Sequence, residues 1–259
     1  MKTAPWLAFL VLFVHSLSAF APMPVPQVRP APIQGAAIQG WTYDAPTHTV
    51  NVRILNTGNK DITAYILDVT ETDAAWPSEY HTLRDFLNNT VFLERIKGAA
   101  NEESLKKYVT AESIPAGGSF DEKLAVAPTF KTIDLKLEAV AFSDQTAQAL
   151  SKEPFEQLAA SRKATIAAID KAIEVINSSA TLAEAEANMQ KTYDAYQATN
   201  HTSLDDMDPG ELLSIVDHLK QLPVSGSSEK DALAQYVALK QRERSIFAAQ
   251  SNLKLEVTQ

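Results

Sequence analysis

Residues 132–142, TIDLKLEAVAF, alternate apolar and polar side chains along their length. Ile133, Leu135, Leu137 and Ala139 point one way, and Asp134, Lys136 and Glu138 the other. A period of two with one wet face predicts a strand in an antiparallel sheet packed on one side only. The buried parallel sheet of a doubly wound fold reads instead as unbroken apolar runs, so that class is set aside. Just upstream, SFDEKLAVA (119–127) follows the Ile114-Pro115-Ala116-Gly117-Gly118 turn and is the expected neighbour of this strand.

Working further upstream, AAIQGWTYD and TVNVRILN alternate around the turn signal Asp44-Ala45-Pro46-Thr47, and ITAYILDVT follows the Asn56–Asp61 turn cluster. These are predicted as sequential antiparallel strands. The run TVNVRILNTGNKDITAYILDVT, with its Asn-x-Gly turn between two strands, resembles bacterial exported immunoglobulin-like β-sandwich domains. That resemblance covers about a hundred residues and implies architecture alone, with Trp41 as the one candidate core aromatic. The cysteine pair of antibody-type domains has no counterpart here, because the chain contains no cysteine. Between the third strand and the Pro-Gly-Gly turn lies an insertion, 71–113. Its segment LRDFLNNTVFLERIKG places Leu83, Phe86, Leu87, Val91 and Ile96 near helical spacing, predicting a helix that caps an end or edge of the sandwich. Long connections usually carry structure or function of their own.

Downstream of Asp144 the period changes to 3.6. EPFEQLAASRKATIAAIDKAIEVIN aligns Phe155, Leu158, Ile166, Ile169, Ile173 and Ile176 on one stripe, with Arg162 as the odd member. TLAE supplies a capping box, Thr181 with Glu184, for a second helix carrying Leu182, Ala185, Met189, Tyr193 and Tyr196 on a face. A third helix opens at DPGE, with Asp208 as cap and Pro209 in the first turn, and a fourth runs from near Ser228 to about Leu253. Short connections make successive helices antiparallel neighbours. The tail NLKLEVTQ alternates again and reads either as a short strand returning to the sheet or as a frayed helix end. The predicted fold is therefore α+β in two parts: an antiparallel, Ig-like β-sandwich over 37–143, then an antiparallel helical bundle over 153–254. Lys240, Glu243 and Arg244 interrupt the stripe of the fourth helix. A monomer is expected if that helix folds back to cover the first, and an isologous dimer if it projects away.

The beginning of the chain reads as an export signal over 1–19: Lys2, nine apolar residues from Trp6 to Val14, then small residues at Ser16, Ser18 and Ala19. A bilayer core needs about 20 apolar residues, so no stable membrane anchor is expected after cleavage. Residues 20–36 carry prolines at nearly alternate positions and are expected to form an extended linker. Absence of cysteine in an exported chain points to a bacterial periplasmic or secreted protein and leaves stability to packing. A net charge of −9, more negative by one once Lys2 is removed, opposes phosphate backbones and excludes nucleic acid as the expected partner.

Chemistry-bearing patterns are sparse. LDDMDPGE (204–211) does not fit a calcium loop, because Met207 and Pro209 occupy ligand positions. None of the histidines stands in a Glu-x-x-His, His-Glu-x-x-His or His-x-His context, so no metal site is expected. There is no Gly-x-Ser-x-Gly, Walker or Gly-x-Gly-x-x-Gly pattern; no cofactor is expected and no catalytic residue is assigned. One segment holds recognition chemistry: AAWPSEYHTLRD groups Trp76, Tyr80, His81, Arg84 and Asp85 in what reads as a loop and helix start, suited to a peptide, glycan or small hydrophobic ligand. The alternative is that Trp76 and Tyr80 pin the insertion to the sandwich. Two functions follow as expectations: a non-catalytic interaction or structural module of the cell envelope docking on a protein partner, or a small-ligand or glycan binder using 71–98.

Overall fold

The computed structural model describes residues 27–28, 33–72, 77–199, 207–222 and 228–256. The segment read as an export signal lies outside these residues, as does Trp76. The chain is α+β, with antiparallel and mixed sheets in its N-terminal part and helices after them.

Two sheets share the first core. Strands β1 (Gln27–Val28), β2 (Ala36–Asp44), β3 (Thr49–Asn56), β4 (Ile62–Thr72) and β5 (Pro77–Asp85) are followed by helices α1 (Leu87–Ile96) and α2 (Glu102–Lys106). Strands β6 (Ser119–Ala125), β7 (Thr132–Phe142) and β8 (Thr146–Ala149) complete this half. The small antiparallel sheet runs β2-β3-β6, so β6 pairs with β3 and lies in the other sheet from β7, its expected neighbour. The large sheet runs β5-β4-β7-β8, with β1 added in parallel on β7. Val50, Val52 and Ile54 of the small sheet pack against Tyr65, Leu67, Val69, Ile133, Leu135 and Leu137 of the large one. The large sheet thus takes in Gln27–Val28 from within the proline-rich stretch, and Ile33 is buried in the core between the sheets.

The deciding strand departs from its expected pattern at one point. Ile66 pairs with Ala139 and Leu67 with Leu137, so Glu138 is an extra residue, a β-bulge. Beyond it the faces exchange: Val140 and Phe142 turn into the inter-sheet core, while Ala139 and Ala141 face outward with Ala64, Ile66 and Ala147. That outer face is dry because Leu158 and Phe155 of α3 (Lys152–Ser178) cover it. Hence only the Asp134–Glu138 half of the strand has a wet face, and the alanines give the helix close access to the sheet.

Helices α4 (Leu182–Gln197), α5 (Pro209–Gln221) and α6 (Glu229–Ala248) follow α3. Thr181 caps α4 by accepting from the Glu184 amide, Glu184 reaches back to the Ala180 amide, one residue before the cap, and Asp208 accepts from the Gly210 and Glu211 amides. The apolar stripe of α3 is shared among three partners in turn. Phe155 and Leu158 meet the sheet; Ile166, Ile169 and Ile173 meet Leu87 and Val91 of α1 and Phe247 of α6. Ile176, with Ala168, Ala172 and Val175, meets Met189, Ile215, Leu219 and Tyr236. Residues Lys254–Leu255 form β9, which pairs in parallel with β8, so the tail takes the strand alternative.

Asn56 explains the Asn-x-Gly turn. Fully buried, it donates to the Lys60 and Ile114 carbonyls at 2.8 Å each and accepts from the Gly58 amide at 3.0 Å. Asn56→Ala is expected to lower stability by about 2 kcal/mol, because it removes three bonds at once and leaves the Lys60 carbonyl without its donor, while the Ile114 carbonyl keeps the Ile62 amide and the Gly58 amide keeps the Gly35 carbonyl. A urea titration at neutral pH reads that loss directly.

Candidate functional site

The segment read as a loop and helix start is a strand over 77–85, paired with β4 from Pro77 opposite Thr72 to Asp85 opposite Ala64. Hydrophobic alternation does not reveal it, because the positions turned inward are Tyr80, Thr82 and Arg84, each with a polar tip, while Leu83 faces out and is exposed. Strand alternation then parts the candidate residues. Tyr80 and Arg84 lie on the side of the small sheet, and His81 and Asp85 on the side of α3. Four of the five therefore do not converge on one site, and Trp76 lies outside the described residues.

On the inner side the polar tips are partnered within the chain. The Tyr80 hydroxyl donates to Glu71 at 3.0 Å, and burial followed by that carboxylate raises its pKa. Arg84 forks onto buried Glu122 at 2.9 and 2.6 Å, and the Tyr65 hydroxyl donates to the same carboxylate. Burial, with the Glu122 charge next, pushes the Tyr65 phenol far up, so it stays protonated and donates to Glu122. Asp85 accepts from the Leu87 amide and from Arg162 of α3, whose guanidinium is 2.7 Å from Oδ2. Arg162 also donates to Thr63 and to the Gln250 carbonyl, so one buried side chain joins β4, β5, α3 and the end of α6.

On the outer side His81 stands among carboxylates. It is the cross-strand partner of Asp68, two residues from Glu79, and beside the bulge that presents Glu138. His81 Nδ1 lies 3.5 Å from Glu138 Oε2 and 3.9 Å from Asp68 Oδ1. Among the described residues, the ligand atoms of Asp68, Glu79 and His81 fall within 4.8 Å of one another. Lys136 holds Glu138 at 2.9 Å. The Asp68 carboxyl is pushed above its usual range by burial first and by the Glu138 and Glu79 charges next, against the pull of His81 and Lys136. Its Oδ1 is buried and receives no hydrogen bond. Asp68, Glu79 and Glu138 escape a linear motif scan because they come from three strands. Their signal is register: once 77–85 is a strand, His81 falls opposite Asp68.

A concavity of about 470 Å³ lies along the small sheet, lined by Gln39, Gly40, Thr42, Asn51, Arg53 and Lys123 among others. Nothing meets a methyl group built on Gly40, which leaves the floor open beside the edge strand.

No family model and no curated protein matches this chain. Among solved structures it is similar to a hypothetical protein from Peptoclostridium difficile 630 over 46% of this chain and 88% of that one, at 14% identity and a TM-score of 0.30, too slight a likeness to carry fold or function across.

Proposed function

We propose that the chain is an exported, non-catalytic interaction module of the bacterial cell envelope, built on an Ig-like β-sandwich, that accepts an extended segment of a protein partner along β2. The observation that carries this reading is the contrast among the sheet edges. Edge strands offer unpaired amides and carbonyls, and proteins guard them with charge or proline. β5 carries Pro77, Glu79, His81, Arg84 and Asp85, and β6 carries Asp121, Glu122 and Lys123. β2 carries no proline, and its single charge, Asp44, stands at its last residue, which leaves Ala36 to Tyr43 unguarded; among the described residues only β3 pairs with it. Such an edge is a template for strand addition.

Export is supported by the reading of residues 1–19, and no helix among the described residues is long and apolar enough to cross a membrane. The Ig-like reading is supported by the two facing sheets and the buried Asn56 turn. Internal partners for Tyr80, Arg84 and Asp85 weigh against a ligand or glycan site on 71–98. The monomer is supported by α6 folding back on α3, where Phe247 meets Ile169.

Thr42 is exposed, so Thr42→Lys places a charge on the edge without disturbing the core. A photo-crosslinker at position 42 is expected to capture one envelope protein, and Thr42→Lys to abolish its retention while the melting temperature moves by less than about 2 °C. Retention unchanged by the lysine, or no crosslink at position 42, overturns the reading. Light scattering of the same sample is expected to give the monomer mass.

A further inference from the structure

We infer that the outer face of the large sheet carries a zinc-class metal site, with His81, Asp68 and Glu79 as ligands and Glu138 beside them. It is separate from the β2 edge and does not depend on the partner proposed there.

Three features of the outer face support it. The first is the donor set. An imidazole nitrogen with two carboxylate oxygens is the mixed N and O set that Zn²⁺ takes, whereas Ca²⁺ prefers six to eight oxygens. Three protein ligands leave a tetrahedral ion one position for water. The second is geometry. Ligands about 2.0–2.1 Å from a tetrahedral ion stand about 3.3 Å apart. His81 Nδ1 and Asp68 Oδ1 are 3.9 Å apart, and the Asp68, Glu79 and His81 ligand atoms all lie within 4.8 Å of one another. His81 and Glu79 are exposed and free to turn by the ~1.5 Å at most that remains, while Asp68 lies on β4, between β5 and β7. The third is the orphan oxygen. Asp68 Oδ1 is buried without a hydrogen-bond donor, and the nearest cationic candidate, His81 Nδ1, stands at 3.9 Å, beyond hydrogen-bond reach. A buried oxygen with unfilled lone pairs calls for a donor or a cation.

The fold holds these groups for reasons of register. Asp68 and His81 are directly opposed on β4 and β5, and Glu79 follows on the same face two residues along. Glu138 is the extra residue of the β7 bulge, and bulges re-aim side chains beside sites. Three carboxylates gather there against Lys136, which pairs with Glu138 and leaves Asp68 and Glu79 to the ion. Such a site does not need catalysis to matter: an ion bridging β4 and β5 would tie the edge strand to the sheet.

The test uses the purified full chain stripped of metal, titrated with Zn²⁺ against a chromophoric chelator, with Ca²⁺ as a parallel probe. One equivalent of zinc is expected to bind and to raise the melting temperature. His81→Ala and Glu79→Gln, both at exposed positions, are each expected to weaken binding at least tenfold, with Asp68→Asn as a third variant. His218→Ala, on α5, is expected to bind as the parent does. Should a strand variant fail to fold, the imidazole resonances of the parent decide, since zinc must shift His81. No saturable zinc binding, calcium binding in its place, binding unaltered by His81→Ala, or binding lost with His218→Ala overturns the assignment.

Discussion

Arg162→Ala is expected to destabilise the protein by about 3–5 kcal/mol, a large part of the stability of an ordinary domain. The guanidinium is fully buried and forks onto Asp85, whose side chain is 5% exposed. Removing it leaves that carboxylate in the interior with the Leu87 amide as its remaining donor, takes the donor from the Gln250 carbonyl, and leaves the Thr63 hydroxyl with its bond to the Ala141 carbonyl alone. Replacing both partners by apolar side chains of similar volume, Arg162→Met with Asp85→Leu, should recover most of the loss, because the cost lies in an unpaired buried charge. Chemical denaturation of the two single variants and the double variant measures the coupling. Limited proteolysis adds a second readout: the single variant is expected to be cut between β8 and α3, where the parent resists.

The second large effect belongs to a buried ionic quartet that joins the insertion to the helices. Arg95 of α1 donates to Glu243 at 2.6 and 2.9 Å and to Glu211 at 3.0 and 3.1 Å, and Lys240 reaches both carboxylates at 2.8 Å. Two cations balance two anions, with Lys240 and Glu243 at 1% and 0% side-chain exposure. Glu243→Gln is expected to cost about 3 kcal/mol, whereas Arg244→Ala, which breaks an exposed pair with Asp170, should cost under about 1 kcal/mol. Burial alone would raise the Glu243 pKa, yet the Arg95 hydrogen bond and the Lys240 charge outweigh it and hold the carboxyl below its usual range. A depressed folded pKa gives stability that is complete at neutral pH. It fades as the pH drops below about 4.5, the ordinary glutamate value, and on through the depressed one. Glu243→Gln should therefore flatten the acid limb of a stability profile measured from pH 7 to pH 3, and an unchanged limb would count against the quartet as its source.

Where period and burial coincide, the sequence was readable. Residues 132–137 show their strand because one face is wet, and α3, α4 and α5 show themselves through stripes and caps. Failure came where polar side chains are turned inward. Tyr80, Thr82 and Arg84 face the core and hide β5, and Tyr80 and Arg84 satisfy their tips on Glu71 and Glu122, which no local pattern announces. Lys240 and Glu243 read as interruptions of an apolar stripe, yet they are the buried centre of α6, neutralised by Arg95 and Glu211. Arg162, the odd member of its stripe, is likewise the pin between the two halves. Of the candidate site, the residue types on 77–85 were legible. Their separation onto two faces was not, since it follows from strand register, and the carboxylates around His81 arrive from β4 and β7.

The partners that close this molecule lie far apart along the chain: Arg162 and Asp85 by 77 positions, Gln250 and Ser143 by 107, Arg95 and Glu243 by 148. A growing polypeptide cannot form such contacts until most of it has been synthesised, and loop closure of that length slows the search. Neither the quartet nor the Arg162 pin exists in a nascent chain that has reached only β8. The half-made sandwich therefore lacks the cover that Phe155 and Leu158 supply. The outer alanine face, Ala64, Ala139 and Ala141, must wait for α3 to be made before it is covered.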